Sequence, residues 1–141
     1  MEPWDLLASD SVQDFVEQAL SKKMDALQVS TALNKAGYSN EDRAAIMDYM
    51  ALVPKFREKF CSGKNNGTAR GVFLLCDKLA LEQSTAQDIG RWKAALWPSE
   101  GSVNDLCCGM GGDSFFLPAG LKVTGVDLDE NRLAMYRHNL K

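Results

Sequence analysis

Leading up to a single acid at position 127, the sequence runs Val103-Asn104-Asp105-Leu106-Cys107-Cys108-Gly109-Met110-Gly111-Gly112-Asp113, and its glycines organise everything around them. Val103 to Leu106 reads as a short strand, and glycines directly after a strand let the backbone approach a neighbour closely. A short helix follows, ended by Pro118 and Gly120. Lys122-Val123-Thr124-Gly125-Val126-Asp127 reads as a second strand, and Asp129 as the cap of a helix with Leu133, Tyr136 and Leu140 on one side. Strand, glycine turn, helix, strand, helix is a βαβα unit, the opening half of a doubly wound parallel sheet.

Upstream the pattern is different. Residues 1 to about 60 read as helices. Asp10 or Ser11 can cap a helix bearing Val12, Phe15, Val16, Ala19 and Leu20. A shorter piece follows Asp25 with Leu27 and Leu33, and Gly37 stands where a helix ends. Ser39 or Asn40 opens a third helix with the stripe Ile46, Tyr49, Met50 and Val53. Pro54 is expected to kink or restart it, with Phe56 and Phe60 continuing the face. Residues 61–71 are rich in turn formers and read as a linker. Val72-Phe73-Leu74-Leu75-Cys76 reads as a buried strand. Ser84 with Gln87 forms a capping box opening a helix that carries Ala86, Ile89, Trp92 and Leu96 and stops at Pro98. Trp4, Trp92 and Trp97 read as core or interface residues. The expected organisation is a helical region over 1–71 and the start of an α/β region over 72–141.

Composition narrows the class. A chain of 141 residues suits one domain or two small ones, and 45% hydrophobic content with 25% charged residues excludes disorder. The net charge of −3 excludes a polycation that coats nucleic acid. No apolar run is long enough to cross a bilayer, so no membrane partner is expected, and the acidic N-terminus lacks the layout of a signal peptide. The expectation is a cytoplasmic protein. Cys61, Cys76, Cys107 and Cys108 show no paired metal-binding spacing and His138 is the sole histidine, so free thiols and no metal site are expected. Lys55, Arg57, Lys59, Lys64 and Arg70 stand against the single acid Glu58, which reads either as an RNA-phosphate contact or as a solvated helix end.

The chemistry lies in the glycine turn. Asp127 follows Asp105 by one strand-helix-strand excursion, and an acid there can accept hydrogen bonds from both hydroxyls of a ribose. A nucleoside lying across the ends of two neighbouring strands is the ligand this geometry favours. Residues 101–121 contain Asp105 and Asp113 but no Lys or Arg. A pyrophosphate would meet two carboxylates where anions normally bind. S-adenosylmethionine carries a sulfonium and an ammonium that acids attract, so the charge pattern favours it over a dinucleotide.

These residues, with Val123-Thr124-Gly125-Val126-Asp127-Leu128-Asp129, Arg132-Leu133 and Asn139, resemble the first two motifs of class I S-adenosylmethionine-dependent methyltransferases. More narrowly they are similar to the bacterial THUMP-like methyltransferases, related to the RNA cap guanine-N2 (trimethylguanosine synthase-like) group. Leu81-Glu82-Gln83-Ser84-Thr85 and Arg91-Trp92-Lys93-Ala94 resemble the segment preceding the first motif there. The likeness covers roughly residues 72–141. It implies a Rossmann-like fold and methyl transfer to an RNA base. It also implies that the backbone of Cys107, Gly109 and Gly111 lines the methionine part of the cofactor, that Asp105 orients its ammonium and that Asp127 holds the ribose. Asp113 and the turn Gln83-Ser84-Thr85 are further contributors. Cys107 stands where the broad class more usually has glycine, and Pro118 interrupts the first crossover helix.

Related enzymes acting on exocyclic amines use an Asn/Asp-Pro-Pro-aromatic motif, and none of Pro3, Pro54, Pro98 and Pro118 fits it, so the catalytic residues are unassigned. Two parallel strands leave a sheet edge uncovered. The chain is therefore expected to be a fragment of a longer enzyme that binds S-adenosylmethionine weakly and methylates nothing alone. Its edge is expected to pair with another copy or with its own N-terminal strand. Two other readings stand beside this one: a helical interaction or RNA-docking module with a non-functional glycine turn, and an NAD-binding oxidoreductase fragment.

Overall fold

The computed structural model describes residues 3–61 and 73–141. Four helices come first: α1 Pro3–Ala8, α2 Asp10–Ser21, α3 Ala26–Lys35 and α4 Asn40–Phe60. The cap of α2 is Ser9, one residue before the expected pair, and its hydroxyl bonds back to the Leu6 carbonyl. Asp25 and Gln28 form a reciprocal capping box on α3, satisfying two backbone donors that a helix start would leave open. Ser39 caps α4 by accepting from the Asp42 N–H. Ile46, Tyr49, Val53, Phe56 and Phe60 recur at helical spacing along α4 and are all buried. The helix continues through Pro54, an exposed position, and does not restart there. Leu27, expected on the buried stripe of α3, is instead 77% exposed, because Val29 and Leu33 set that face.

The expected strand before the α/β region is absent among the described residues. Phe73 to Asp77 is irregular, although Leu74, Leu75 and Cys76 are buried in the core. The chain then enters α5 Lys78–Gln83, capped by Asp77, an element that the sequence reading missed. Ser84 is the C-terminal cap of α5, its hydroxyl donating to the Leu81 carbonyl, and it does not open the next helix. That helix, α6 Gln87–Ala94, starts at Ala86 without a side-chain cap. Its expected apolar stripe is also inverted: Ile89, Trp92 and Leu96 are exposed, while Gln87, Gly90 and Ala94 are buried. The reason is steric. Gly90 lies against the Phe116 ring, so α6 packs through its small-residue face.

β1 Glu100–Leu106 and β2 Gly120–Val126 form a two-stranded parallel sheet, in register from Glu100↔Gly120 to Leu106↔Val126. Both strands begin earlier than their apolar cores indicated. The crossover holds only a single 3-10 turn, Ser114–Phe116, before Pro118. α7 Glu130–Asn139 follows, with Asp129 accepting from the Asn131 N–H. The chain is thus of mixed helix and strand. One apolar cluster runs from Leu7 and the α2–α4 faces through Leu74, Leu75 and Cys76 to Met110 and Met135. On the sheet, Leu121 is buried and Val103, Asp105, Val123 and Gly125 are partly covered, while Ser102, Asn104, Leu106, Lys122, Thr124 and Val126 are exposed.

Gly90→Ala sets two effects against each other. Helix propensity alone would stabilise α6 by about 1 kcal/mol. A Cβ at Gly90, however, would lie 2.2 Å from Phe116 Cδ2. Overpacking of this kind costs about 1–3 kcal/mol. Thermal unfolding is expected to show a net loss of stability, and a stabilised variant would contradict the packing described.

Candidate functional site

At the carboxyl ends of β1 and β2 the backbone ladder gives way to side-chain bonds. The Cys108 N–H donates to the Val126 carbonyl at 3.0 Å. One residue later the Gly109 N–H donates to Asp127 Oδ2 at 2.9 Å, and the Asp129 N–H donates to Asp127 Oδ1 at 3.0 Å. Hydrogen bonds to the charged form favour ionisation, so the Asp129 and Gly109 amides hold the Asp127 carboxyl below its ordinary range. Gly109 and Gly111 both have positive φ (55° and 94°), and so does Cys107 at 64°. A left-handed backbone is costly for a residue with a Cβ, which explains in physical terms why glycine is the commoner choice at such a position.

The turn opens onto a cavity of about 320 Å³, near the lower end of the range for small-molecule sites. Of the residues singled out from sequence, Gln83, Thr85, Asp105, Cys107, Gly109, Asp113 and Asp127 line it, and Ser84 lines it as well. Gly111 does not. A Cβ there would lie 3.3 Å from Tyr136 Cδ2 and 3.5 Å from Leu140 Cγ, so its role is close packing against α7.

Asp105 accepts a short hydrogen bond from the Ser114 hydroxyl, which in turn accepts from the Tyr136 phenol at 3.2 Å. Burial raises the Tyr136 pKa, so the phenol stays a donor and the chain of hydroxyls aims Asp105. Burial, reinforced by Asp105 and Asp127, pushes the Cys108 thiol up to about 11 and keeps it protonated at neutral pH. This argues against nucleophilic work by that thiol. All four cysteines are unpaired. His138 is partly buried on α7 and does not line the cavity.

The expectation that no cation stands near these acids is corrected by the fold. Lys93, from α6, donates to both oxygens of Asp113 at 3.0 and 2.9 Å. Arg132, from α7, lines the cavity while pairing with Asp77 at 2.7 Å and Asp129 at 3.9 Å. Neither belongs to the stretch 101–121: Lys93 reaches Asp113 from α6, and Arg132 reaches the cavity from α7. The balance nevertheless remains acidic, with Asp105, Asp113, Asp127 and Asp129 against the single lining cation Arg132. The Lys93–Asp113 pair is nearly half exposed on both sides. Pairs of that kind contribute about 1 kcal/mol or less, so a ligand can compete with it.

Two of the five cations of the basic segment are engaged by structure, while Lys55 is exposed. Arg57 pairs with Glu17 at 2.6 Å and lies over the Phe73 ring, and Lys59 donates to the Leu81 and Glu82 carbonyls. Lys64 and Arg70 lie outside the described residues, as do the linker residues 62–71. Among the described residues no group of three or more His, Cys, Asp or Glu side chains gathers to hold a metal ion, and no helix is long and apolar enough to cross a membrane. No protein-family model, curated protein or solved structure matches the chain.

Two expectations follow from the turn. The folded state binds the Asp127 proton less readily than the unfolded chain. Its stabilisation is therefore complete above a pH of about 4 and is lost as pH falls through the lowered folded value. In melts between pH 7 and 2, the stability gap between wild type and Asp127→Asn should close at the acid end; parallel curves would contradict the bonding described. Relief of the left-handed backbone at position 107 should make Cys107→Gly more stable by up to about 1 kcal/mol, read from urea unfolding.

Proposed function

We propose that this cavity binds S-adenosylmethionine and that the chain is the donor-binding part of a methyltransferase. In this reading β1, the 3-10 turn, β2 and α7 are the first half of a Rossmann-like sheet. The observation that carries it is the convergence, at the carboxyl ends of two parallel strands, of a glycine turn, an acid on each strand end and the separate turn Gln83-Ser84-Thr85 around one cavity. The crevice outside the carboxyl ends of parallel strands is where open α/β sheets receive ligands. The excess of aspartate suits a ligand with a sulfonium and an ammonium better than one with a pyrophosphate. Asp127 meets the turn with one lone pair of each oxygen, which leaves acceptor capacity for ribose hydroxyls.

Methyl transfer is an in-line displacement: the acceptor's lone pair takes the methyl, the sulfonium sulfur keeps the bonding pair, and S-adenosylhomocysteine leaves. Such a reaction depends chiefly on holding donor and acceptor aligned. The acceptor class implied by the resemblance is an RNA base. Arg57 and Lys59 are committed to internal contacts, so a phosphate-binding surface would draw on other cations. None of the four prolines follows an Asn or Asp, so the residues that would grip an exocyclic amine are not identified in these 141 residues.

Titration calorimetry with S-adenosylhomocysteine and with NAD separates the readings. The expected result is binding of the adenosyl ligand in preference to NAD, with a loss of tenfold or more in Asp127→Ala while the fold persists. Preference for NAD, or unchanged affinity in that variant, would overturn the proposal. With bulk RNA and labelled S-adenosylmethionine, residues 1–141 should transfer no label, and robust turnover would overturn the donor-only reading.

A further inference from the structure

Asn139 stands in the last turn of α7 and joins two segments that are distant in sequence. Its Oδ1 accepts from the Leu75 N–H at 2.7 Å, and its Nδ2 donates to the Leu75 carbonyl at 2.9 Å and to the Met110 carbonyl at 2.9 Å. Leu75 is 1% exposed and Met110 4% exposed, so water cannot readily replace these bonds. A primary amide is suited to this place because it carries an acceptor and two donors on one planar group. Leu75 belongs to an irregular segment with no strand partner among the described residues, and the amide satisfies its backbone as a neighbouring strand would.

One of these segments lines the cavity, and the other leads directly into the helix and turn that line it. Met110 sits in the glycine turn between Gly109 and Gly111 and lines the cavity directly. Leu75 lies two residues before Asp77, which caps α5; Ala80 and Gln83 of that helix, then Ser84 and Thr85, form the opposite wall. The same segment is fastened to the helical core, where the Tyr49 phenol donates to the Leu74 carbonyl at 3.3 Å. Arg132, about two turns earlier on α7, repeats the link through Asp77.

We infer that Asn139 is a positioning residue that sets the separation of the two cavity walls, so that ligand binding in the turn and docking of segment 73–77 stabilise each other. The inference rests on the donor-site reading above. Linkage is reciprocal: if the docked segment favours the ligand, the ligand favours the docked segment by the same factor.

The test uses the whole chain with S-adenosylhomocysteine as probe. Asn139→Asp keeps an acceptor for the Leu75 N–H but removes both donors and turns a carboxylate toward two carbonyls. It is expected to weaken binding by tenfold or more at a temperature where circular dichroism shows it folded. In the wild-type protein, saturating probe is expected to slow hydrogen exchange at the Leu75 amide by the same factor as at the Gly109 amide, a measurement that decides the matter if the variant fails to fold. Binding by a folded Asn139→Asp within twofold of wild type, or an unchanged Leu75 rate beside a slowed Gly109, overturns the inference and leaves the donor site standing. Failure of the wild type to bind the probe at all overturns both.

Discussion

Where the parallel ladder of β1 and β2 ends, one carboxylate takes over its work. Asp127 accepts from Gly109 on one oxygen and from Asp129 on the other, so a single side chain fixes the glycine turn and the entry to α7 relative to the strand ends. The sheet has only two strands among the described residues and is partly covered on one face, so few other restraints act at this point. The glycine turn that lines one side of the cavity is placed relative to that carboxylate.

α7 is the second organising element, and it works through one face. Arg132, Tyr136 and Asn139 are spaced at four and three residues, which puts them on a common side of the helix. From there they reach Asp77, Ser114 and the pair Leu75 and Met110 respectively. Met135 between them is fully buried in the same cluster that contains the helical core. A helix carrying so many polar contacts inward shows little amphipathic pattern. Arg132 and Asn139 are polar residues that make inward contacts, and an apolar-stripe analysis assigns them to solvent.

The electrostatics of the cavity also depend on helices brought from elsewhere. Within the continuous stretch 101–121 there is no cation, and the acids alone argued for a positively charged ligand. The folded chain adds Lys93 on Asp113 and Arg132 at the rim. They stand against four lining aspartates, and Asp105 has a neutral hydroxyl as its partner.

Local sequence was sufficient wherever local forces decide. The capping of α4 and α7, the buried face of α4, the two strands and the glycine turn followed from spacing and side-chain chemistry, because each is settled within a few residues. It was insufficient where a distant partner decides. Val72–Cys76 has the composition of a strand, but Phe73–Asp77 finds no ladder among the described residues, and an amide from Asn139 satisfies Leu75 instead. Ile89, Trp92 and Leu96 have the spacing of a core stripe, yet Gly90 lets Phe116 in on the opposite side and turns them outward. The residues of the turn and their acids were legible along the chain. Which cations stand beside those acids, and what holds the cavity walls apart, was decided by tertiary structure, because hydrogen bonds and close packing between remote segments leave no periodic mark in a sequence.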